Sequence, residues 1–426
     1  MKKIKPTVLE RSWILYDVGN SAFVLLYSTL LPLFFYELAT TARLDEELYL
    51  SYWGYAGSIA TVLVALIGPI CGAIADQKDY KKLLFVISLI CGALSCAALG
   101  FSWIWWIFLI VYILAKAGYS ASLVFYDSML PEVAPEERAD RVSSKGYAYG
   151  YIGSVIPFVL CIGVFVCYYM LQIISMEIAL LCVTSITAVW WIACSVPLIK
   201  RYRQTAFMTP TPHPIAEAFR ELGRTLKHAK QHPNILWYLL AFFFFINGVY
   251  TIIDMAIAYG ESLGLDSIGL LLALLVTQIV AFPFAILFGV LASKVRAGRL
   301  IKLCILCYAG IISFAVFLTA QWQFWMLAVL VGMFQGGIQA LSRSYLTKII
   351  PVERSGAYFG LMDICGKGAT FLGMLLVAVV NHFLAGKVLN VFGISLGNEN
   401  IAVASLLILM LLGYIFFCKA DKLNQK

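Results

Sequence analysis

Several ionisable side chains stand inside long apolar stretches of this chain, among them Lys116, Arg343, Lys367, Asp17, Asp254 and Asp363. In lipid such groups cost roughly 2.5–3.5 kcal/mol each, so they normally face a partner or a wet cavity. Lys116 and Lys367 together would suit a carboxylate or another anion. A carboxylate among Asp17, Asp254 and Asp363 would take up and release a proton in a low-dielectric site. Asn247, Gln335 and Gln339 add neutral donors and acceptors that would orient a bound solute. Each group also has a plainer reading. Asp363 stands four residues before Lys367 and would pair with it on one helix face. Lys116 would sit in an internal salt bridge, and Gln335 and Gln339 would bond helix to helix. Asp17 would serve structure or a gate.

The elements that carry these residues are twelve stretches of about bilayer length, which needs roughly 20 apolar residues. They fall near 13–39, 50–75, 82–101, 103–130, 144–170, 175–199, 234–259, 266–293, 299–320, 323–348, 357–385 and 399–418. At 1.5 Å per residue, Lys116 lies ~20 Å into the fourth and Lys367 ~15 Å into the eleventh. The fold expected is an all-α membrane protein of twelve transmembrane helices in two pseudo-symmetric six-helix bundles. The first bundle covers 1–199, a cytoplasmic linker 200–233, and the second bundle 234–426. With 62% hydrophobic and 13% charged residues, a soluble fold could not bury the apolar surface, so lipid must be its solvent. No small-residue cleavage site ends the first stretch, which is expected to stay.

The net charge of +8 does not indicate nucleic acid, because its distribution is one-sided. Of the 31 Lys and Arg, all but Arg43, Lys387 and the three inside spans fall on one face. That face is cytoplasmic by the positive-inside rule, with both termini on it. The spacing Cys304-x-x-Cys307 lies mid-helix without polar company and reads as packing. His228 and His232 lack further ligands for zinc. No metal, cofactor or enzymatic site is expected; there is no Walker motif or nucleophile elbow.

In the linker, Pro210, Pro212 and Pro214 forbid a helix. Beyond them Ile215, Ala218, Phe219, Leu222 and Leu226 recur opposite Arg220, Arg224, Lys227 and Lys230. This predicts a basic amphipathic helix on the cytoplasmic headgroups. The two halves also read as copies. Gly72 to Asp76 with Lys82-Leu83 falls on Gly289 to Ser293 with Arg299-Leu300. Pro135-Glu136-Glu137-Arg138 falls on Pro351-Val352-Glu353-Arg354, and Gly150 on Gly366.

Parallel repeats of six helices, with short basic loops after helices 2 and 8, resemble the major facilitator superfamily. The opening Trp13-Ile14-Leu15-Tyr16-Asp17-Val18-Gly19-Asn20-Ser21-Ala22 resembles that of its vacuole-effluxer branch. So do Gln335-Gly336-Gly337-Ile338-Gln339-Ala340-Leu341-Ser342-Arg343-Ser344, Phe359-Gly360-Leu361-Met362-Asp363 with Gly366-Lys367, and Asn247-Gly248. Ser293 departs from the acidic residue usual after helix 8, which weakens that copy of the loop as a latch. Val18 departs from a Trp, which alters helix 1 packing.

The resemblance implies that helices 1, 4, 7 and 10 line a cavity, which places Lys116 on it. Asp127 and Arg343, superposed by the repeat, read as inner gate groups, joined by Asp76, Glu137, Arg138, Glu353 and Arg354. The function expected is secondary transport of a small polar organic solute, an amino acid or related carboxylate, by alternating access. A proton is the candidate coupling ion. Expected partners are that small molecule and the lipid bilayer, with no nucleic acid, and the chain is expected to act as a monomer. Analogy with the branch's many bacterial members places it in a bacterial inner membrane. Alternatives are a carrier of a siderophore or drug, and a transporter-like sensor or docking platform.

Overall fold

The computed structural model describes residues 6–44, 46–208, 220, 223–224, 227, 231–256, 259–260, 264–265, 267–384, 389–391 and 394–425. Among them are twelve helices long and apolar enough to cross a membrane. They are α1 Val8–Thr41, α2 Glu46–Ala75, α3 Tyr80–Leu99, α4 Trp105–Ser128, α5 Glu136–Tyr169 and α6 Met176–Arg201. After the linker come α7 Pro233–Asp254, α8 Ser267–Leu291, α9 Ala297–Val316, α10 Gln321–Ile349, α11 Ser355–Phe383 and α12 Asn398–Leu423.

Local signals set several helix ends. A capping box starts α1: Thr7 Oγ1 accepts from the Glu10 N–H at 3.1 Å, and Glu10 Oε2 from the Thr7 N–H at 2.7 Å. Ser175 caps α6 by its hydroxyl alone, which accepts from the Ile178 N–H at 3.4 Å. A π-helical stretch, Leu26–Leu30, interrupts α1. Among the described residues the all-α expectation holds apart from one antiparallel ribbon, β1 Leu389–Val391 with β2 Ile394–Leu396.

Helix α5 starts at Glu136, eight residues before the apolar stretch read from the sequence. Hydropathy marks only the lipid-facing length. The polar first turns stay helical because Glu136 and Glu137 suit the positive end of the helix dipole. One face of those turns, with Ala139, Val142 and Ser143, is buried. In the linker, residues 202–207 are in neither helix nor strand, and Met208 forms an isolated bridge with Gln77. The proline run and most of the amphipathic segment lie outside the described residues, though 220, 223, 224, 227 and 231 are helical.

The chain divides into two compact units. One comprises Met1–Ala134, Tyr149–Leu222 and Val352–Gly360; the other comprises Pro135–Ala148, Gly223–Pro351 and Leu361–Lys426. In the first, α1 packs on α6, α2 on α4, α3 on α4 and α3 on α6. In the second, α7 packs on α12, α8 on α10, α9 on α10 and α9 on α12. Each pair in the second set is the first set moved on by six helices, as a parallel repeat requires. The units differ from the simple halves: the first turns of α5 belong to the second unit, those of α11 to the first, and the linker is divided between them.

Candidate functional site

In the first unit the family-like opening of α1 is mainly an aromatic joint. Trp13 stacks on Tyr126 at 4.3 Å, and its Nε1 donates to the Tyr126 carbonyl at 3.0 Å. The Tyr16 and Ser122 hydroxyls share a hydrogen bond of 2.6 Å, fixing α1 to α4. Asp17, about two and a half turns into α1, is buried and accepts from Asn20 Nδ2 at 3.4 Å. Val18 fills the space above Gly153 of α5, where a Cβ would come within 2.5 Å of its Cγ1.

Lys116 is half-buried and lies eleven residues into α4, ~17 Å along it. Its ammonium sits 5.4 Å from the Tyr27 ring and 5.9 Å from the Tyr112 ring, a cation–π setting. In the second unit Lys367 is paired with Asp363 one turn earlier on α11. Asn247 of α7 is fully buried; its Oδ1 accepts from Thr251 Oγ1 at 3.2 Å. Both groups face Gly373 of α11, where an added Cβ would strike them. Asn247 Nδ2 is a buried donor without a partner among the described residues. Gln335 is buried and Gln339 half-buried on α10. Asp254 is exposed at the end of α7.

A second polar centre closes the first unit at the α2–α3 loop. Asp76 is fully buried and accepts the backbone N–H of Gly356 at 2.7 Å and of Ala357 at 2.9 Å. It thereby caps α11, satisfying donors that a helix start leaves orphaned. Close approach makes this possible: a Cβ on Gly72 would collide with the Gly356 carbonyl, and one on Gly356 with Gly72. Beside Asp76, the buried Lys81 donates to Glu132 Oε1 and to Ser355 Oγ, each at 2.8 Å. Glu132 also accepts Tyr202 OH at 2.9 Å and the N–H groups of Thr205 at 2.6 Å and Ala206 at 3.1 Å. Gln204 accepts from Lys81 N–H at 3.2 Å and donates to the Ala75 carbonyl at 3.0 Å. Met208 N–H donates to the Asp76 carbonyl at 2.7 Å. The first residues of the linker are thus strapped to the loop that caps α11.

The two carboxyls titrate in opposite directions. Burial pushes Asp76 up to about 7, against the pull of Lys81 and the two amides. Burial also opposes ionisation of Glu132, but Lys81 and the Thr205 and Ala206 amides outweigh it and hold that carboxyl low.

The second unit secures the start of α5 by different means. Arg343 is buried and donates to Ser143 Oγ at 2.9 Å and to the Ser143 carbonyl at 3.0 Å, over the Tyr147 ring at 4.4 Å. Ser143 Oγ in turn donates to the Ala340 carbonyl at 2.8 Å. Asp140 accepts Ser344 Oγ at 2.7 Å and pairs with Lys348 at 2.5 Å. Ser293, at the position equivalent to Asp76, is exposed and among the described residues bonds locally, to the Val290 carbonyl at 2.7 Å. Instead Asp421 of α12 pairs with Lys302 of α9 at 2.6 Å and with Arg296 of the α8–α9 loop at 3.7 Å.

Of the residues read as a gate, Asp76 and Arg343 lie in these two buried clusters. Asp127 and Arg138 are half-buried at the ends of α4 and α5. Glu137 and Glu353 are exposed, and Arg354 is half-buried in the turn before α11. The sequence reading missed Lys81, Glu132, Asp140, Ser143, Ser344, Lys348 and Ser355. One signal was present: Glu132 and Lys348 differ by 216 positions, the repeat shift, with opposite charges. Among the described residues no group of three His, Cys, Asp or Glu is placed to hold a metal. Cys304 and Cys307 are free thiols, Cys304 buried.

The family profile described as "Vacuole effluxer Atg22 like" matches residues 9–422. An uncharacterized MFS-type transporter of Bacillus subtilis, YxiO, is 38% identical over 96% of this chain and 94% of its own. Autophagy-related protein 22-1 of Aspergillus niger is 25% identical, over 56% of this chain and 42% of that longer protein. Among solved structures, the major facilitator transporter FucP in its outward conformation aligns with TM-score 0.70 over 97% of both chains at 15% identity. A bacterial homologue of the iron transporter ferroportin aligns with TM-score 0.71 at 12% identity. These last two likenesses speak for the fold alone. The fold, the sequence match across nearly the whole chain and the multi-pass helices agree: this chain is a non-enzymatic MFS-type transporter and belongs to the Atg22-like vacuole-effluxer family.

Proposed function

We propose that the protein moves a small polar organic solute bearing a carboxylate, an amino acid or a close relative, by alternating access. The observation that carries this reading is Lys116, a half-buried cation in the middle of α4 flanked by the rings of Tyr27 and Tyr112. A midspan ammonium with aromatic walls suits an anionic group attached to a modest organic body. On this reading Lys116 anchors the carboxylate; Gln335, Gln339 and Asn247 are proposed as solute contacts of the second unit in their own right. Lys367 is held by Asp363 until a proton neutralises that carboxyl, which makes the pair the coupling element. Asp17, tied to Asn20, and Asp254, exposed at a helix end, take structural roles instead.

The gate is the set of contacts at the starts of α5 and α11. Asp76 and Arg343 seat them, and Asp127, Glu137, Arg138, Glu353 and Arg354 add charge around them. Releasing these seats favours the state in which the site opens to that side. The excess of Lys and Arg on the side of the α2–α3 and α8–α9 loops makes that side cytoplasmic, with both termini there. The Bacillus relative favours the cytoplasmic membrane of a bacterium. Transport assays on Lys116→Ala and Lys367→Ala test the anion site. Loss of carboxylate uptake in the first variant and of its pH dependence in the second is expected. Unchanged transport in both overturns the site.

A further inference from the structure

Beside the strapped linker lies a cleft of about 510 Å³ lined by Asp79, Lys82, Leu83, Val86, Tyr202, Arg203 and Gln204. None of these residues belongs to the proposed solute site. Lys82 and Arg203 supply two cations against the single carboxylate of Asp79, and Gln204 a neutral amide. The cleft stands at the very start of the span Tyr80–Leu99, at the depth of lipid headgroups. From it an apolar stripe runs up one face of α3: Leu83 is 51% exposed, Ile87 54%, Ile90 47% and Leu94 59%. Their spacing of four, three and four residues keeps them on one side of the helix. We propose that this cleft binds the headgroup of an anionic phospholipid, with an acyl chain lying along the α3 stripe.

A free phosphate would be served by the cations alone and would leave the stripe unused, whereas a phospholipid matches both. Arg203 offers the planar fork that phosphate oxygens favour, and Lys82 a point charge. The site also touches the strap. Tyr202 and Gln204 line the cleft and at the same time bond Glu132, Lys81 and the Ala75 carbonyl. An occupied cleft therefore steadies the linker segment that holds the α2–α3 loop. The inference does not depend on what solute is carried.

The test is native mass spectrometry of the full-length protein in detergent, titrated with phosphatidylglycerol, phosphatidylcholine or glycerol 3-phosphate. One phosphatidylglycerol should bind well ahead of phosphatidylcholine, and glycerol 3-phosphate should not compete at equal concentration. Lys82→Gln with Arg203→Gln should weaken that binding about thirtyfold, each cation supplying roughly the fivefold expected of a basic side chain at an anionic surface. Lys294→Gln with Arg299→Gln, at the α8–α9 loop, should leave it unchanged and controls for loss of general charge. The proposal is overturned if the cleft variant binds phosphatidylglycerol as the wild type does, or if both double variants lose it equally. Equal binding of phosphatidylcholine overturns it as well, and effective competition by glycerol 3-phosphate would make the cleft a soluble-anion site. Should the cleft variant fold poorly, Arg203→Gln alone, outside any helix, carries the same comparison with an expected loss of about fivefold.

Discussion

Replacing Asp76 by alanine is the sharpest perturbation the structure offers. Its carboxylate accepts two buried N–H groups at the start of α11, from Gly356 at 2.7 Å and Ala357 at 2.9 Å. An unsatisfied buried donor costs about 1–3 kcal/mol, so losing both acceptors costs about 2–4 kcal/mol after partial rescue by water. That changes the equilibrium for seating α11 against α2 by roughly 30- to 1000-fold. Hydrogen–deuterium exchange of a peptide covering Ser355 to Met362 reads it directly. Exchange should accelerate by at least the lower factor, while a peptide from the first half of α4 keeps its protection and shows the variant is folded. Asp76→Asn retains one acceptor oxygen and should lose less. If α11 in Asp76→Ala stays as protected as in the wild type, the cap does not hold the helix and the latch account is wrong.

Because burial pushes Asp76 up to about 7, the seated state holds a proton that a solvated Asp, at about 3.9, has already released. Seating therefore strengthens as pH falls from about 7 toward 4 and changes little above 7; exchange at α11, corrected for intrinsic rates, should show this slope and Asp76→Asn should flatten it. Arg343→Gln removes charged hydrogen bonds worth about 2 kcal/mol and should speed exchange over 136–148 roughly thirtyfold, since Ser143 keeps Ala340 as a partner; Arg343→Lys, lacking the fork, should fall between. Gly72→Ala meets the Gly356 backbone, and overpacking of this kind costs about 1–3 kcal/mol; it should unseat α11 without altering any charge, and an unchanged exchange rate would show that the approach is not tight. Lys116→Gln should raise KM for a carboxylate solute about tenfold or more, the loss of one charge-assisted contact.

The fold was legible because lipid leaves a helix no alternative partner for its backbone, so apolar length alone located the twelve spans. The repeat was legible from the punctuation at Gly72, Gly289, Pro135 and Pro351, and the packing pairs reproduce it. The midspan cations and the pairing of Lys367 with Asp363 followed from the cost of charge in lipid and from i,i+4 spacing. What escaped was the buried polar chemistry beyond the ends of the spans. Lys81 counted as one more loop cation, although it is fully buried between Asp76 and Glu132. Only the tertiary approach of α11 to the α2–α3 loop turns that charge into a structural group. For the same reason Ser293 signalled a weaker latch in the second copy, while Asp140, Lys348 and Asp421, which secure that unit, stood among ordinary surface charges.

The most direct test of the transport reading is counterflow in proteoliposomes. Vesicles loaded with an unlabelled amino-acid mixture are given trace labelled amino acids, with and without an inward-acid pH gradient. The account predicts saturable exchange that steepens with the gradient, is abolished by Lys116→Ala, and loses its response to the gradient in Asp363→Asn. No exchange by folded protein, or exchange that Lys116→Ala leaves intact, would contradict it.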